Sequence, residues 1–183
     1  MNYHLFRTIN DWSGNSGLDD LMKFAAKDLL FLVFAGFALL CGQRLRDKDY
    51  RPVALAFGGL VLTFAFAQIA AKVHTEARPF VTHPSAHTLI SHAKDQSFPS
   101  DHATAAFGIA LAVALFLSVR WGALMFVLGL WIGVARIYVG VHYPGDIAGA
   151  LLVAALGVAV MAVIGRFLPD LAAGPAPKAM AGR

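Results

Sequence analysis

Six polar residues stand out from a mostly apolar chain: Arg78, Ser100, His102, Arg136, His142 and Asp146. Their types suit an anion, and phosphate in particular. Arg78 and Arg136 offer planar guanidinium forks that can grip phosphate oxygens two at a time. Ser100 stands just before an apolar segment and reads as a helix N-cap. The N–H groups and dipole of that helix end favour an anion. Four positions separate His142 from Asp146, the spacing that places two side chains on one helical face if the helix begins near His142. A carboxylate on one imidazole nitrogen fixes the tautomer and leaves the other nitrogen free to attack phosphorus. His102 is the remaining titratable group. It can protonate a leaving oxygen and later take a proton from water.

Membrane helices are the elements that must position these groups. The 183 residues suffice for one domain, 58% are hydrophobic and 14% are charged. About a quarter would be charged in a soluble domain. Five apolar blocks approach the ~20 residues that cross ~30 Å of hydrocarbon: Leu21 to Gln43, Pro52 to Ala71, Ala103 to Val119, Trp121 to Val139, and Ile147 to Leu168. The expected fold is an all-α, polytopic membrane helical bundle in one domain over 1–170. The Ala-, Pro- and Gly-rich stretch 171–183 reads as a flexible tail. Tyr3, Phe6 and Trp12 leave the N-terminus open between a helix lying in the headgroup region and a frayed end with aromatic anchors. The small pairs Gly129/Gly133 and Gly145/Gly149 would let helices approach closely.

The formal charge of +4 is tied to segment ends, so it signals topology and an anion site, not nucleic acid. Cys41 is the single cysteine, which excludes an internal disulfide. Arg44, Arg46, Lys48, Arg51, Arg120 and Arg166 fall at one set of segment ends, which the positive-inside rule assigns to the cytoplasm. Counting crossings then brings Arg78, Ser100, His102, Arg136, His142 and Asp146 together on the opposite, outer side. The long connection 73–101 is expected, by its length, to be either functional or disordered. It carries His83, His87 and His92, whose loose spacing makes a weak alternative, a metal site. A transport pathway is a second alternative, but the middles of the spans are almost free of ionisable groups.

Arg78-Pro79, Pro99-Ser100-x-His102 and Arg136-x5-His142-x3-Asp146 resemble the three-part signature of the type 2 phosphatidic acid phosphatase superfamily. That resemblance implies a helical core shared with vanadium haloperoxidases. It also implies His142 as nucleophile forming a phosphohistidine, Asp146 as its orienting partner and His102 as acid. Arg78, Arg136 and Ser100 would bind phosphate, with no metal or other cofactor. Met1-Asn2-Tyr3, Arg78 to Val81, His87 to Ile90, Ser97 to His102 and His142-Tyr-Pro144 further resemble the bacterial undecaprenyl-diphosphate phosphatase branch. The likeness runs from Met1 to about Leu168. It implies hydrolysis of a polyprenyl diphosphate, or another lipid phosphate such as phosphatidic acid or phosphatidylglycerophosphate, at the outer face of a bacterial inner membrane. Bacitracin tolerance is a further implication of that branch.

Three positions depart from the signature. Lys72 stands one residue too close to Arg78, and Ala71 occupies the expected lysine position; Lys72 is kept as a phosphate-ligand candidate. Asp101 replaces the usual glycine and is expected to point away from phosphate or to orient a basic neighbour. Ala135 replaces the usual serine before Arg136. Glu76, two residues before Arg78, either orders Arg78 or a water, or is simply solvated.

Overall fold

The computed structural model describes residues 2–168. The expected tail, 171–183, lies outside them. Within the described residues the chain is helical: α1 (Asn2–Asn10), α2 (Ser16–Lys27), α3 (Leu29–Arg46), α4 (Tyr50–Val73), the short α5 (Pro79–Thr82), α6 (Asp101–Ala112), α7 (Val119–Tyr138) and α8 (Pro144–Gly165). A π-helical turn, Val113–Leu117, continues α6. Four helices, α3, α4, α7 and α8, are long and apolar enough to cross a membrane; α6 with its π turn forms a shorter fifth apolar segment.

The first expected span begins too early. Leu21 to Gln43 reads as one block, yet the chain breaks at Asp28, where α2 ends and α3 starts. Lys23, Lys27 and Asp28 explain the break, because charges are costly inside hydrocarbon. Asn15 caps α2 by accepting from the Leu18 N–H at 3.2 Å. The N-terminus is a packed helix: Phe6 is fully buried against Ile137 and Tyr143.

The third segment is short because it is central. From Ala103 to Ala110 every residue of α6 is buried, and α3, α4, α7 and α8 all pack against it. Alanine and glycine on all sides let four neighbours approach. Lipid meets the outer helices instead, where Phe31, Leu39, Val61 and Leu152 are exposed.

The two ends of the bundle differ in chemistry. At one end Arg44 donates to the Leu117 carbonyl at 2.8 Å and pairs with Asp49 at 3.1 Å. Arg51 there donates to the Gly165 carbonyl at 2.8 Å. The basic loops therefore share one face. Helix parity delivers the end of α4, the start of α6, the end of α7 and the start of α8 to the other face.

Candidate active site

At that other face the connection between α4 and α6 folds back on itself. Ala77 and Gln96 form an antiparallel bridge, and the Ser97 N–H donates to the Glu76 carbonyl at 2.8 Å. The Gln96 amide ties the loop to the Ala71 and His74 carbonyls at the end of α4. Beyond it Phe98 lies on α8 at Gly149, where a Cβ would meet the ring at 2.2 Å. Gly140 closes the α7–α8 turn with φ +84°, and a Cβ there would strike the His87 carbonyl at 2.3 Å. Asn10 of α1 closes the same corner. Its amide donates to the His87 and Tyr138 carbonyls, each at 2.8 Å.

These supports converge on His142, which is almost fully buried. Its Nε2 lies 3.0 Å from Arg78 Nη1 and 3.5 Å from Arg136 Nη2. A guanidinium can only donate, so Nε2 is the accepting nitrogen. Its other nitrogen, Nδ1, then carries the proton and donates to Asp146 Oδ2 at 3.2 Å. Burial, followed by the charges of Arg136 and Arg78, holds the imidazole pKa well below its ordinary value. The ring is therefore neutral near neutral pH, with a lone pair on Nε2 between two arginines.

The His142–Asp146 pair forms by a different route from the expected one. Helix α8 begins at Pro144, so His142 precedes the helix instead of sharing its face. The Asp146 carboxylate turns back over the helix start, where its Oδ2 accepts from the Tyr143 N–H at 2.8 Å. The same oxygen reaches His142.

Ser100 occupies the N-cap position of α6, but its hydroxyl makes no cap hydrogen bond. Its Oγ is buried with no partner among the described residues, and so is Arg136 Nε. Buried polar atoms are ordinarily paired. The Ser100 hydroxyl and Arg136 Nε–H are both donors that an anion could satisfy. His102 follows Ser100 in the first turn of α6, within electrostatic reach of Arg136, His92 and Arg78. Asp101 is exposed and lies within electrostatic reach of Arg136.

Lys72 behaves differently. It is exposed in the last turn of α4, and among the described residues no hydrogen bond or ion pair joins it to the cluster. The Glu76 carboxylate lies 3.6 Å from His74, and its carbonyl supports Ser97. The loop histidines are dispersed: His83 stacks on Tyr3 at 3.7 Å, His87 bonds Ser13 at 2.7 Å, and only His92 approaches His142, at 6.3 Å between rings. Burial in that position lowers the His92 pKa.

Three supports were not expected from the sequence. Asp95 pairs with Arg78 Nε at 2.7 Å. Burial works to raise the Asp95 pKa, but the Arg78 hydrogen bond and charge outweigh it and leave it lowered. Ser97 donates to Asp146 and lies 3.3 Å from His142 Nδ1. The Ala26 carbonyl, at the end of α2, accepts from Arg136 Nη1 at 3.3 Å.

Comparison with known proteins decides the lineage. The PAP2 superfamily model matches residues 52–169. The chain belongs to the PAP2 superfamily. It is 38% identical over 158 residues to undecaprenyl-diphosphatase BcrC of Bacillus subtilis (strain 168), covering 84% of this chain and 79% of that one. The putative undecaprenyl-diphosphatase YbjG of Escherichia coli (strain K12) is 32% identical over 160 residues, 86% of this chain and 79% of that one. The crystal structure of Aquifex aeolicus LpxE superposes with a TM-score of 0.72 over 88% of this chain and 94% of the other, at 24% identity, a likeness of fold. The matched region 52–169 thus contains Arg78, Ser100, His102, Arg136, His142 and Asp146, in a multi-pass membrane lipid phosphatase.

Proposed function

We propose that this chain hydrolyses undecaprenyl diphosphate to the monophosphate and inorganic phosphate, at the outer face of the bacterial inner membrane. The observation that carries the chemistry is the neutral His142 Nε2 held between Arg78 and Arg136. The substrate rests on the similarity to the two undecaprenyl-diphosphatases. The orientation rests on the basic loops gathered at the far end of the bundle.

The reaction divides into two displacements. Arg78, Arg136, the Ser100 hydroxyl and the N–H groups of α6 bind the terminal phosphoryl oxygens and stabilise the charge that grows on them. His142 Nε2 attacks the terminal phosphorus, and the bond from that phosphorus to the bridging oxygen breaks. His102 gives its proton to that oxygen, which leaves on the lipid monophosphate. Asp146 takes up the positive charge of the phosphorylated imidazole through Nδ1–H. Water then attacks the phosphohistidine, His102 accepts its proton, and phosphate departs with His142 restored. Arg78 and Arg136 turn their donors from Nε2 to phosphate oxygens as substrate enters. Lys72 takes no part in this scheme.

Purified protein offered undecaprenyl diphosphate, phosphatidic acid and phosphatidylglycerophosphate in matched micelles tests the substrate. The diphosphate should give the highest kcat/KM. Faster turnover of either glycerolipid would overturn this choice and leave the phosphatase reading intact. Release of no phosphate from any of them, with ion or anion flux across vesicles, would favour a transporter.

A further inference from the structure

The geometry points to Ser97 as a positioning residue that holds the nucleophile and its carboxylate in the attacking arrangement. Ser97 is fully buried. Its hydroxyl has one hydrogen and gives it to Asp146 Oδ2. Its lone pairs face His142 Nδ1 at 3.3 Å. Nδ1–H is thus shared between Asp146 and Ser97, and Ser97 closes a three-membered ring of hydrogen bonds with the other two.

The ring answers a problem that the His142–Asp146 pair cannot solve alone. Asp146 Oδ2 collects three donors, from His142, Tyr143 and Ser97, while Oδ1 has no partner among the described residues. A carboxylate free to turn about its Cβ–Cγ bond would swing Oδ2 out of line with Nδ1–H and weaken that contact. The Tyr143 N–H comes from the helix start and holds Oδ2 from one side. The Ser97 hydroxyl comes from the α4–α6 loop and holds it from another. Ser97 is fixed in turn by its N–H on the Glu76 carbonyl and by the Ala77–Gln96 bridge. The folded-back loop therefore presents one hydroxyl to the pair, next to the Ser100 turn that faces phosphate. With Ser97 in place, Nδ1–H stays on Asp146 Oδ2 and the ring keeps its Nε2 lone pair aimed for attack on phosphorus.

This role rests on His142 being the nucleophile, so His142→Gln is measured beside it. In Ser97→Ala, kcat should fall about 10–100-fold, as expected for losing a hydrogen bond to a charged group in the transition state. KM should move little, because phosphate is held by other residues. Nitrogen-15 spectra of the histidine-labelled protein in micelles should show His142 only as the Nδ1–H tautomer in the parent. In Ser97→Ala the Nδ1–H proton signal should move upfield, because Nδ1–H loses Ser97 and its bond to Asp146 loosens while the arginines still hold Nε2 as the acceptor. Ser97→Thr, which returns a hydroxyl, should restore the parent Nδ1–H signal. If Ser97→Ala keeps the parent kcat, or loses kcat with the His142 Nδ1–H signal unchanged, the positioning role is wrong. If His142→Gln itself turns over normally, the nucleophile assignment fails instead.

Discussion

Replacing Arg136 by glutamine tests two consequences of its position at once. Its guanidinium lies 3.5 Å from His142 Nε2, its Nε is buried without a partner among the described residues, and the Ala26 carbonyl accepts from its Nη1. Glutamine ends where Arg136 Nε lies, so the charge, the fork and the Ala26 contact are lost together. Hydrogen bonds to charged groups contribute about 1.5–3 kcal/mol each. Losing the pair that Arg136 would make to the phosphoryl group costs about 3–4 kcal/mol, or roughly 10²–10³-fold in kcat/KM. The second consequence is a pH shift. After burial, Arg136 is the largest cause of the lowered His142 pKa. A lowered pKa keeps Nε2 unprotonated below pH 6.5, and activity is lost only as pH falls through that lowered pKa. Without the Arg136 charge the His142 pKa rises, so the acid limb of kcat/KM must move to higher pH. The assay is phosphate release from the diphosphate lipid in micelles across the acid range, with circular dichroism to verify folding. An acid limb that stays put or moves to lower pH would refute the electrostatic reasoning, and a loss under threefold would refute the contact.

Two further variants separate the inner site from its surroundings. Asp95→Asn removes the ion pair on Arg78 Nε but leaves Arg78 Nη1 on the Val141 carbonyl at 3.0 Å. The pair is half in solvent, so kcat/KM should drop only about 3–10-fold, mainly through KM, as steady-state kinetics will read. Lys72→Ala should change kcat/KM by no more than about twofold, as befits an exposed side chain away from the cluster. A hundredfold loss there would restore Lys72 to the phosphate site.

The convergence of the six polar groups was legible because it follows from parity. Whatever the packing, alternate ends of successive spans return to the same side. Arg78, Ser100, Arg136 and Asp146 needed only that count and their own chemistry. Hydropathy misplaced the start of the first span, because Leu21 to Ala26 is apolar enough to merge with α3 although Lys27-Asp28 interrupts it. The spacing of His142 and Asp146 predicted their contact but not its form, since a carboxylate over a helix start reaches backwards as well as along a face. Asp95, Ser97 and the Ala26 carbonyl left no periodic signal. Their roles depend on how a loop of nearly thirty residues folds back, and only the Ala77–Gln96 bridge and the Gln96 anchors reveal it. Ser97 offered one faint hint, as a hydroxyl two positions before a proline-serine turn that enters a helix.

The central claim is covalent chemistry at His142, and rapid quenching tests it directly. The parent protein is mixed with lipid diphosphate labelled in its terminal phosphate, quenched in base within one turnover, and digested. Label should appear on the peptide carrying His142, stable to base and lost in acid as a phosphoramidate is, and should be absent from His142→Gln. Label on another residue, or full turnover by His142→Gln, would contradict it.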